Sequence, residues 1–331
     1  MDIDVNALFN QFSQQRILVV GDVMIDAYLR GSVTRISPEA PVSIVNLKQT
    51  EDRLGGAANV ALNLASLGAE PILCAIVGDD KGGRTFRSLL DERGLSNDGI
   101  VKCADRMTTI KTRVIGNNQH LLRIDEEVLT NITAQEENEF IQRIERLLTS
   151  KVDAIILEDY NKGLLTPRVI ESIVKMANER KIPVTVDPKK DNFFAYKNVT
   201  LFKPNLKELK EGVGATSMEV TNGSEFEAAV LALEAKLNNQ ITLVTLSEHG
   251  VFIKREGDKK YIPAHVRNIA DVSGAGDTVI AVATLCLVAG LAIEHIADIA
   301  NLSGGLVCEV SGVVPINAAM LKEEIVNLQG S

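Results

Sequence analysis

The chain has 331 residues, a net charge of −9 and a hydrophobic fraction of 45%, which suffices for one large α/β domain with a small appendage or for two modest domains. Its acidic balance argues against a protein that binds a nucleic-acid backbone, and the lack of Trp with only 4% aromatic residues argues against a base-stacking platform. An anionic ligand would therefore have to meet individual Lys and Arg side chains.

The cysteines and histidines show no metal-ligand spacing, and the four scattered Cys fit free thiols in a reducing cytosol. The N-terminus lacks a basic region followed by an apolar signal segment. The uncharged run 278–293 is shorter than the roughly 20 residues that a membrane span needs. We expect a cytoplasmic protein with no structural zinc, and with neither a membrane nor a nucleic acid as its partner.

Short β-branched runs alternate with longer helical patterns along the chain, which predicts an α/β fold, a doubly wound parallel sheet with helices on both faces. Strands are expected at 17–20, 72–77, 154–157, 184–186, 201–203 and 242–246. Helices are expected at 57–66, 81–92, 134–148, 167–180, 224–237, 275–287 and 293–308.

Two regions, about 32–47 and 100–124, break this alternation. They contain strand-like pieces without intervening helices, and the turn Gly116-Asn117-Asn118 separates two of these pieces. We therefore expect a small separate β-sheet inserted in a single domain that spans 1–331. A flap with only a structural role is the alternative.

The segment Asp271–Thr278 sets a glycine-rich turn, a helix start and an acid side by side. The backbone amides of Gly274, Ala275 and Gly276 at a helix N-terminus can hold an anion. Asp277 can then accept a hydroxyl proton, a combination that suits phosphoryl transfer. The alternative is a plain glycine turn followed by an acidic first-turn residue.

These eight residues resemble the C-terminal signature of the ribokinase-like carbohydrate kinases, the PfkB family, in which the last Asp is the catalytic base. Far upstream, the run 55–61, followed by Leu64, Leu67 and Gly68, resembles the N-terminal signature of the same family. The resemblance implies a ribokinase-like fold, ATP and Mg²⁺ as cofactors, and a β-lid over the sugar site through which two chains form a homodimer. A monovalent cation is a further candidate cofactor.

Four more segments resemble one subset of the family, the heptose 7-phosphate 1-kinases of ADP-heptose and lipopolysaccharide core synthesis: 21–26, 35–42, 159–163 and 187–189. This implies ATP-dependent phosphorylation of the anomeric C1 hydroxyl of D-glycero-β-D-manno-heptose 7-phosphate to the 1,7-bisphosphate. Some of these kinases are fused to a nucleotidyltransferase, for which the chain leaves no room. Whether it is a stand-alone kinase or a piece of a bifunctional protein stays open.

On the nucleotide side, Asn205-Leu206-Lys207-Glu208 resembles the Asn-x-x-Glu motif of the family, in which Glu208 would act on Mg²⁺ through water and Asn205 would orient the triphosphate. Plain helix N-capping is the alternative. The run 245–250 resembles the nucleotide-contacting loop, with Thr245, Ser247 and Gly250 as candidates, although most of the family carries Gly at the position of Ser247. By the same resemblance, Asn301 and Ser303 would close over the adenine.

On the sugar side, the carboxylates of Asp22 and Asp26 can accept hydrogen bonds from vicinal hydroxyls, with a turn cap as the alternative for Asp26. Gly55 and Gly56 permit close backbone approach to a ligand, or simply start a helix, and Asn59 can bond a hydroxyl.

A sugar phosphate also needs cations, and a solvated edge strand would carry Lys and Arg as well. The candidates are Lys111, Arg113 and Arg123 on the lid-like hairpin, together with Arg35, Lys162 and Lys189 in the subset-like segments. The sequence does not decide which of them grips the phosphate.

The helix N-terminus is expected to keep Asp277 ionised and so to make it a weak base, which suits late proton transfer in a loose transition state.

Three other functions stay open. They are a related kinase acting on fructose 1-phosphate, tagatose 6-phosphate or ribose, a non-catalytic sugar or nucleotide sensor, and a dinucleotide dehydrogenase. The last fits worst, because no full Gly-x-Gly-x-x-Gly follows the first strand.

Overall fold

The structure, a computed structural model, describes residues 3–215, 223–265 and 267–329. Its helices are α1 (Val5–Phe12), α2 (Ala57–Ser66), α3 (Lys81–Glu92), α4 (Ala134–Leu147), α5 (Pro167–Glu179), α6 (Leu206–Val213), α7 (Gly223–Leu237), α8 (Ala275–Val288), α9 (Ile293–Cys308) and α10 (Ala318–Gln329). Its strands are β1 (Arg16–Gly21), β2 (Val23–Ile36), β3 (Ser43–Gly56), β4 (Glu70–Gly78), β5 (Ile100–Cys103), β6 (Ile110–Gly116), β7 (Gln119–Glu126), β8 (Ala154–Glu158), β9 (Val184–Asp187), β10 (Leu201–Phe202), β11 (Ile241–Thr245), β12 (Val251–Arg255) and β13 (Asp258–Ile262).

A nine-stranded sheet forms the centre of the molecule, in the order β13-β12-β11-β10-β9-β8-β1-β4-β5. Its pairs are parallel except β11–β12 and β12–β13, which are antiparallel. Apolar residues cover both faces, since Ile17 and Val19 pack into one core cluster while Leu18 and Val20 pack into the other. The expected doubly wound sheet is confirmed.

A second sheet, which we call the lid, has four strands in the order β3-β2-β6-β7. Its long strands β2 and β3 reach well beyond the region 32–47 expected from the sequence. The first half of β2 is buried, and only Asp22 separates β2 from β1 in the sequence, so no loop-like segment marks the start of β2. The segment Ile100–Cys103 was expected in the small sheet, but it pairs with β4 in the large one.

Local signals explain why the helices that flank the site begin where they do. Thr166 caps α5 ahead of Pro167, and Gly274, with a φ of 81°, precedes α8 in the left-handed conformation that favours glycine. Helix α8 is almost entirely buried, which accounts for its uncharged sequence. Of the helices in the described ranges, none combines the length and apolarity needed to cross a bilayer.

Candidate active site

The predicted base, Asp277, lies in the first turn of α8 and is buried. Its Oδ2 accepts a hydrogen bond from Asn59 Nδ2 at 2.7 Å, and its Oδ1 accepts one from the Tyr160 hydroxyl at 2.8 Å. Asn59 belongs to α2 and Tyr160 follows β8, so three separate segments fix this carboxylate. The two signature segments predicted from the sequence therefore meet at one point.

Burial raises the pKa of Asp277 to about 6, although the hydrogen bonds from Asn59 and Tyr160 oppose the rise. The sequence-based expectation of a weak base at a helix N-terminus was therefore wrong. Removal of the carboxylate from water, together with the nearby charge of Asp187, raises the pKa by more than the hydrogen bonds and Lys203 lower it. A pKa near 6 makes Asp277 a stronger base than an ordinary aspartate, and still ionised at pH 7.

The predicted anion cradle consists of the amides before and within the first turn of α8. Within the described residues, Gly274 N and Gly276 N make no hydrogen bond, whereas Ala275 N contacts Val272 O at 3.3 Å. A side chain at Gly274 would collide with the amide of Asn59. Two of the three amides next to Asp277 thus have no acceptor among the described residues, while the third, Ala275 N, contacts the preceding turn.

A buried acidic cluster that sequence reasoning did not single out lies beside the base. Carboxylate oxygens of Glu158, Asp187 and Asp277 lie within 4.8 Å of one another. Both oxygens of Glu158 are buried without a hydrogen-bond partner among the described residues, and burial together with Asp187 and Asp277 raises its pKa well above the usual value. Glu158 and Asp187 each end a strand at the carboxyl edge of the sheet, where such folds bind ligands, and that was the available signal.

Two lysines face this acidic cluster. Lys203 Nζ lies 2.7 Å from Asp187, and Lys189 Nζ lies 2.7 Å from Glu208 and 3.7 Å from Asp187. Lys189 also stands 5.5 Å from the centre of the Tyr160 ring. The site thus places four carboxylates against two ammonium groups.

Asn205 and Glu208 form a reciprocal capping box at the start of α6. Asn205 Oδ1 accepts from Glu208 N, and Glu208 Oε2 accepts from Asn205 N, both at 2.8 Å. The two residues therefore do cap the helix, as the alternative to a nucleotide-binding role predicted. The other oxygen of Glu208, Oε1, accepts a hydrogen bond from Lys189 within the acidic site. Of the two residues between Asn205 and Glu208, Leu206 is half-buried, whereas Lys207 is exposed and pairs with Glu211.

The predicted nucleotide loop lies next to this box, because an isolated parallel bridge joins Asn205 to Thr245. Ser247 has a φ of 53° and Gly250 a φ of 86°. Ser247 therefore keeps the left-handed backbone that glycine would adopt at this position, which the sequence left undecided.

On the adenine side, Asn301 Nδ2 donates to Pro263 O at 2.8 Å, which ties α9 to the chain after β13. Ser303 is fully buried, and its hydroxyl donates to Ala300 O within the same helix. Contact between these two residues and adenine stays a prediction.

The predicted sugar ligands crowd the exit of β1. Asp22 accepts hydrogen bonds from the amides of Tyr160 and Lys162 at 3.0 Å and of Leu164 at 3.2 Å, so it anchors the loop that carries Tyr160. Gly56, with a φ of 64°, leaves no room for a side chain over Asp22 O, and Gly55 leaves none beside Asp26. A sugar hydroxyl at Asp22 would share the carboxylate with three amides.

Most of the predicted cations already have acidic partners. Lys111 and Lys162 converge on Glu127, and Arg123 and Lys111 bind Asp125. Arg113 Nη1 lies 2.5 Å from Asp26 Oδ1, and Arg35 is exposed near the end of β2. Arg113 is linked to the predicted sugar glycines, because its partner Asp26 lies against Gly55.

Known proteins resemble this chain in sequence and in fold. The model of the family described as pfkB family carbohydrate kinase matches residues 14–319. The Bifunctional protein HldE of Citrifermentans bemidjiense is 38% identical over 304 residues, and that of Wolinella succinogenes is 40% identical over 291 residues. The matches cover 92% and 88% of this chain but only 62% and 60% of those proteins.

The crystal structure of phosphofructokinase-2 from Escherichia coli in complex with potassium superposes with a TM-score of 0.77 at 17% identity, covering 96% of this chain and 99% of that one. At this identity, the likeness shows a shared fold.

Proposed function

This chain belongs to the pfkB family of carbohydrate kinases, and we propose that it transfers the γ-phosphoryl group of ATP to the anomeric hydroxyl of D-glycero-β-D-manno-heptose 7-phosphate. The product would be the 1,7-bisphosphate, a precursor in ADP-heptose synthesis, and the reaction would be cytoplasmic. The heptose assignment draws on the subset-like segments in the sequence and on the similarity to the HldE proteins.

The observation that carries this proposal is the 2.7 Å hydrogen bond between Asn59 and Asp277. It joins two segments 218 positions apart, a glycine pair suited to a sugar and an amide cradle suited to a phosphoryl group. A non-catalytic sensor would not require a buried carboxylate with a raised pKa beside free amides.

The mechanism follows from the placement of the groups. Asn59 and Tyr160 each donate to one oxygen of Asp277, which fixes the orientation of the carboxylate and leaves lone pairs free for the sugar hydroxyl. Asp277 removes the hydroxyl proton as the sugar oxygen attacks the γ-phosphorus in line, while the bond from the γ-phosphorus to the bridging oxygen breaks and ADP leaves. The amides of Gly274 and Gly276 then stabilise the charge on the transferred group, by about 3 to 4 kcal/mol for a well-placed donor.

The residues at the sheet edge fit a divalent cation, because four carboxylates face two ammonium groups and Glu158 has no hydrogen-bond partner among the described residues. Glu208 and Asp187, which share Lys189, would hold Mg²⁺, and the ion would neutralise charge on the triphosphate. Asn205 and the 245–250 loop would position the triphosphate beside it.

The lid would pair with the lid of a second chain, so the active form would be a homodimer. Large apolar side chains are exposed on the lid: Ile36, Val42, Leu47, Leu121, Leu122 and Ile124. Leu122 and Ile124, two positions apart on β7, share one face of that strand and form an exposed apolar surface of the kind that binds another protein.

A substrate panel tests the proposed function. ADP release is measured with ATP and each of heptose 7-phosphate, fructose 1-phosphate, tagatose 6-phosphate and ribose. The highest kcat/KM is expected with heptose 7-phosphate. Preference for another sugar would overturn the heptose assignment, and no ADP release with any sugar would favour the sensor.

A further inference from the structure

Three arginines surround one buried tyrosine on the lid. The guanidinium carbons of Arg30, Arg53 and Arg113 lie 5.3, 5.1 and 5.3 Å from the centre of the Tyr28 ring. Tyr28 is only 5% exposed, whereas the three arginines are half-buried. Three like charges thus converge on one point of an acidic protein.

The strand register explains this convergence. Tyr28 on β2 stands opposite Glu51 on β3 and Arg113 on β6, and Asp26 stands opposite Arg53. Alternate residues of a strand share a face, so Arg30 lies on the same face as Tyr28. These residues therefore form one charged face of the lid.

This face points towards the catalytic helix. Arg53 Nη1 donates to Val313 O at 3.4 Å, and the neighbouring Gly312 N donates to Asp271 at the start of the anion cradle. On the other side, Asp26, the partner of Arg113, lies against Gly55. The arginines thus stand between the predicted sugar glycines and the loop that precedes α8.

Carboxylates neutralise only two of the three arginines. Arg53 pairs with Glu51 at 2.6 Å and Arg113 pairs with Asp26 at 2.5 Å, whereas Arg30 has no carboxylate partner in the part of the chain that the structure describes. Each guanidinium carries five donors in a planar fork, and these ion pairs use few of them. Stacking on one ring would not require a third cation, since the like charges repel one another.

We propose that Arg30, Arg53 and Arg113 form the subsite for the terminal phosphate of a phosphorylated sugar. The aromatic ring of Tyr28 would hold their guanidinium groups in position through cation–π contacts. This assignment rests on the proposed function and deepens it, because it selects phosphorylated over unphosphorylated sugars. Arginine is suited to phosphate binding, because its planar guanidinium group can donate two parallel hydrogen bonds to two phosphate oxygens. Lys111, Lys162 and Arg123 pair with Glu127 or Asp125, and they are not among the cations that stand over the Tyr28 ring.

The test compares Arg30→Met with the wild-type chain, because removing Arg30 leaves no carboxylate unpaired. Binding of heptose 7-phosphate and of the same heptose without its phosphate is measured by calorimetry, and KM and kcat are measured with ATP in excess. We expect the affinity for heptose 7-phosphate to fall about ten- to hundredfold and its KM to rise accordingly. The affinity for the unphosphorylated heptose and the kcat should change less than about threefold.

Arg180→Met, at the far end of α5, is the matched control and should change neither affinity. Arg30→Lys, which keeps the charge but not the fork, should lie between the two and remains usable if Arg30→Met folds poorly. Unchanged affinity for heptose 7-phosphate in Arg30→Met, or equal losses with both sugars, would overturn the subsite. If the wild-type chain instead prefers another phosphorylated sugar, the heptose assignment fails, and the same comparison with that sugar still decides the subsite.

Discussion

At the scale of single residues, the proposed chemistry depends on the environment of one carboxylate. Asp277 is buried, yet two side-chain donors from α2 and from the loop after β8 satisfy it. Burial raises its pKa to about 6 while the donors oppose the rise. The balance leaves a base that is ionised at neutral pH and stronger than an exposed aspartate.

This pKa predicts the acid limb of the pH profile. Below about pH 6, Asp277 is protonated and cannot accept the sugar proton, so kcat/KM should fall as the pH drops through that value and level off above it. Initial rates between pH 5 and 8 measure the limb. A profile that stays flat down to pH 5 would contradict the assignment of Asp277 as the base.

A phosphorylated sugar also titrates near pH 6, so a variant has to separate the enzyme from its substrate. Tyr160→Phe removes a donor that lowers the pKa of Asp277, and the limb should therefore move to higher pH. Tyr261→Phe on β13 is the control and should leave the limb in place. A limb that does not move in Tyr160→Phe would indicate that the substrate phosphate sets it.

At the scale of elements, the short 3₁₀ turn Ser247–His249 holds a serine where the backbone favours glycine. A residue with a side chain in the left-handed region costs about 1 kcal/mol or more. Ser247→Gly should therefore raise the free energy of unfolding by about 1 kcal/mol. Urea unfolding measures this change.

The same substitution at a serine within a helix should change the free energy of unfolding in the opposite direction. Ser88→Gly in α3 should lower the free energy of unfolding by about 0.5 kcal/mol, because glycine is the poorer helix former. If Ser247→Gly destabilises the chain as much as Ser88→Gly does, the strain at Ser247 is absent.

Buried elements were predictable because their pattern is local. The apolar strands of the large sheet and helices such as α2 and α3 were found at or near their observed bounds, since burial on both faces leaves continuous apolar runs. The long lid strands β2 and β3 were mostly missed, because half-exposed strands carry mixed side chains. Their length comes from pairing with distant partners, which no local pattern reveals.

The site residues also fall into two groups: some belong to local sequence patterns, and others come together only through the fold. Asp277 and Asn59 were predictable as members of two signature-like segments, whereas their hydrogen bond was not. Glu158 and the cluster of Arg30 and Arg53 around Tyr28 arise only when separate strands are placed side by side. A charged residue at the end of a buried strand indicates a possible ligand site in the sequence. Which charged residues lie next to one another depends on how the strands pair in the fold.

At the scale of the whole molecule, the exposed apolar side chains of the lid predict its assembly. Leu122→Asp should convert a dimer into a monomer, because it buries a charge in the proposed lid–lid contact. Light scattering after size exclusion should give twice the 35.9 kDa chain mass for the wild type and the chain mass for the variant. Leu231→Asp, at an exposed leucine of α7, should leave the dimer intact. A wild-type chain that is monomeric at micromolar concentration would contradict the proposed dimer.

The molecule as a whole brings Asn59, Asp277 and the acidic edge at Glu158 and Asp187 close together, although they come from distant parts of the chain. The central claim is that Asp277 drives phosphoryl transfer to the anomeric hydroxyl. ³¹P NMR of ATP and heptose 7-phosphate, incubated with the wild-type chain and in parallel with Asp277→Asn, tests this claim most directly. We predict a new resonance coupled to the anomeric proton with the wild-type chain, and almost none with the variant although it still binds ATP. The same resonance formed at a comparable rate by Asp277→Asn would contradict the account.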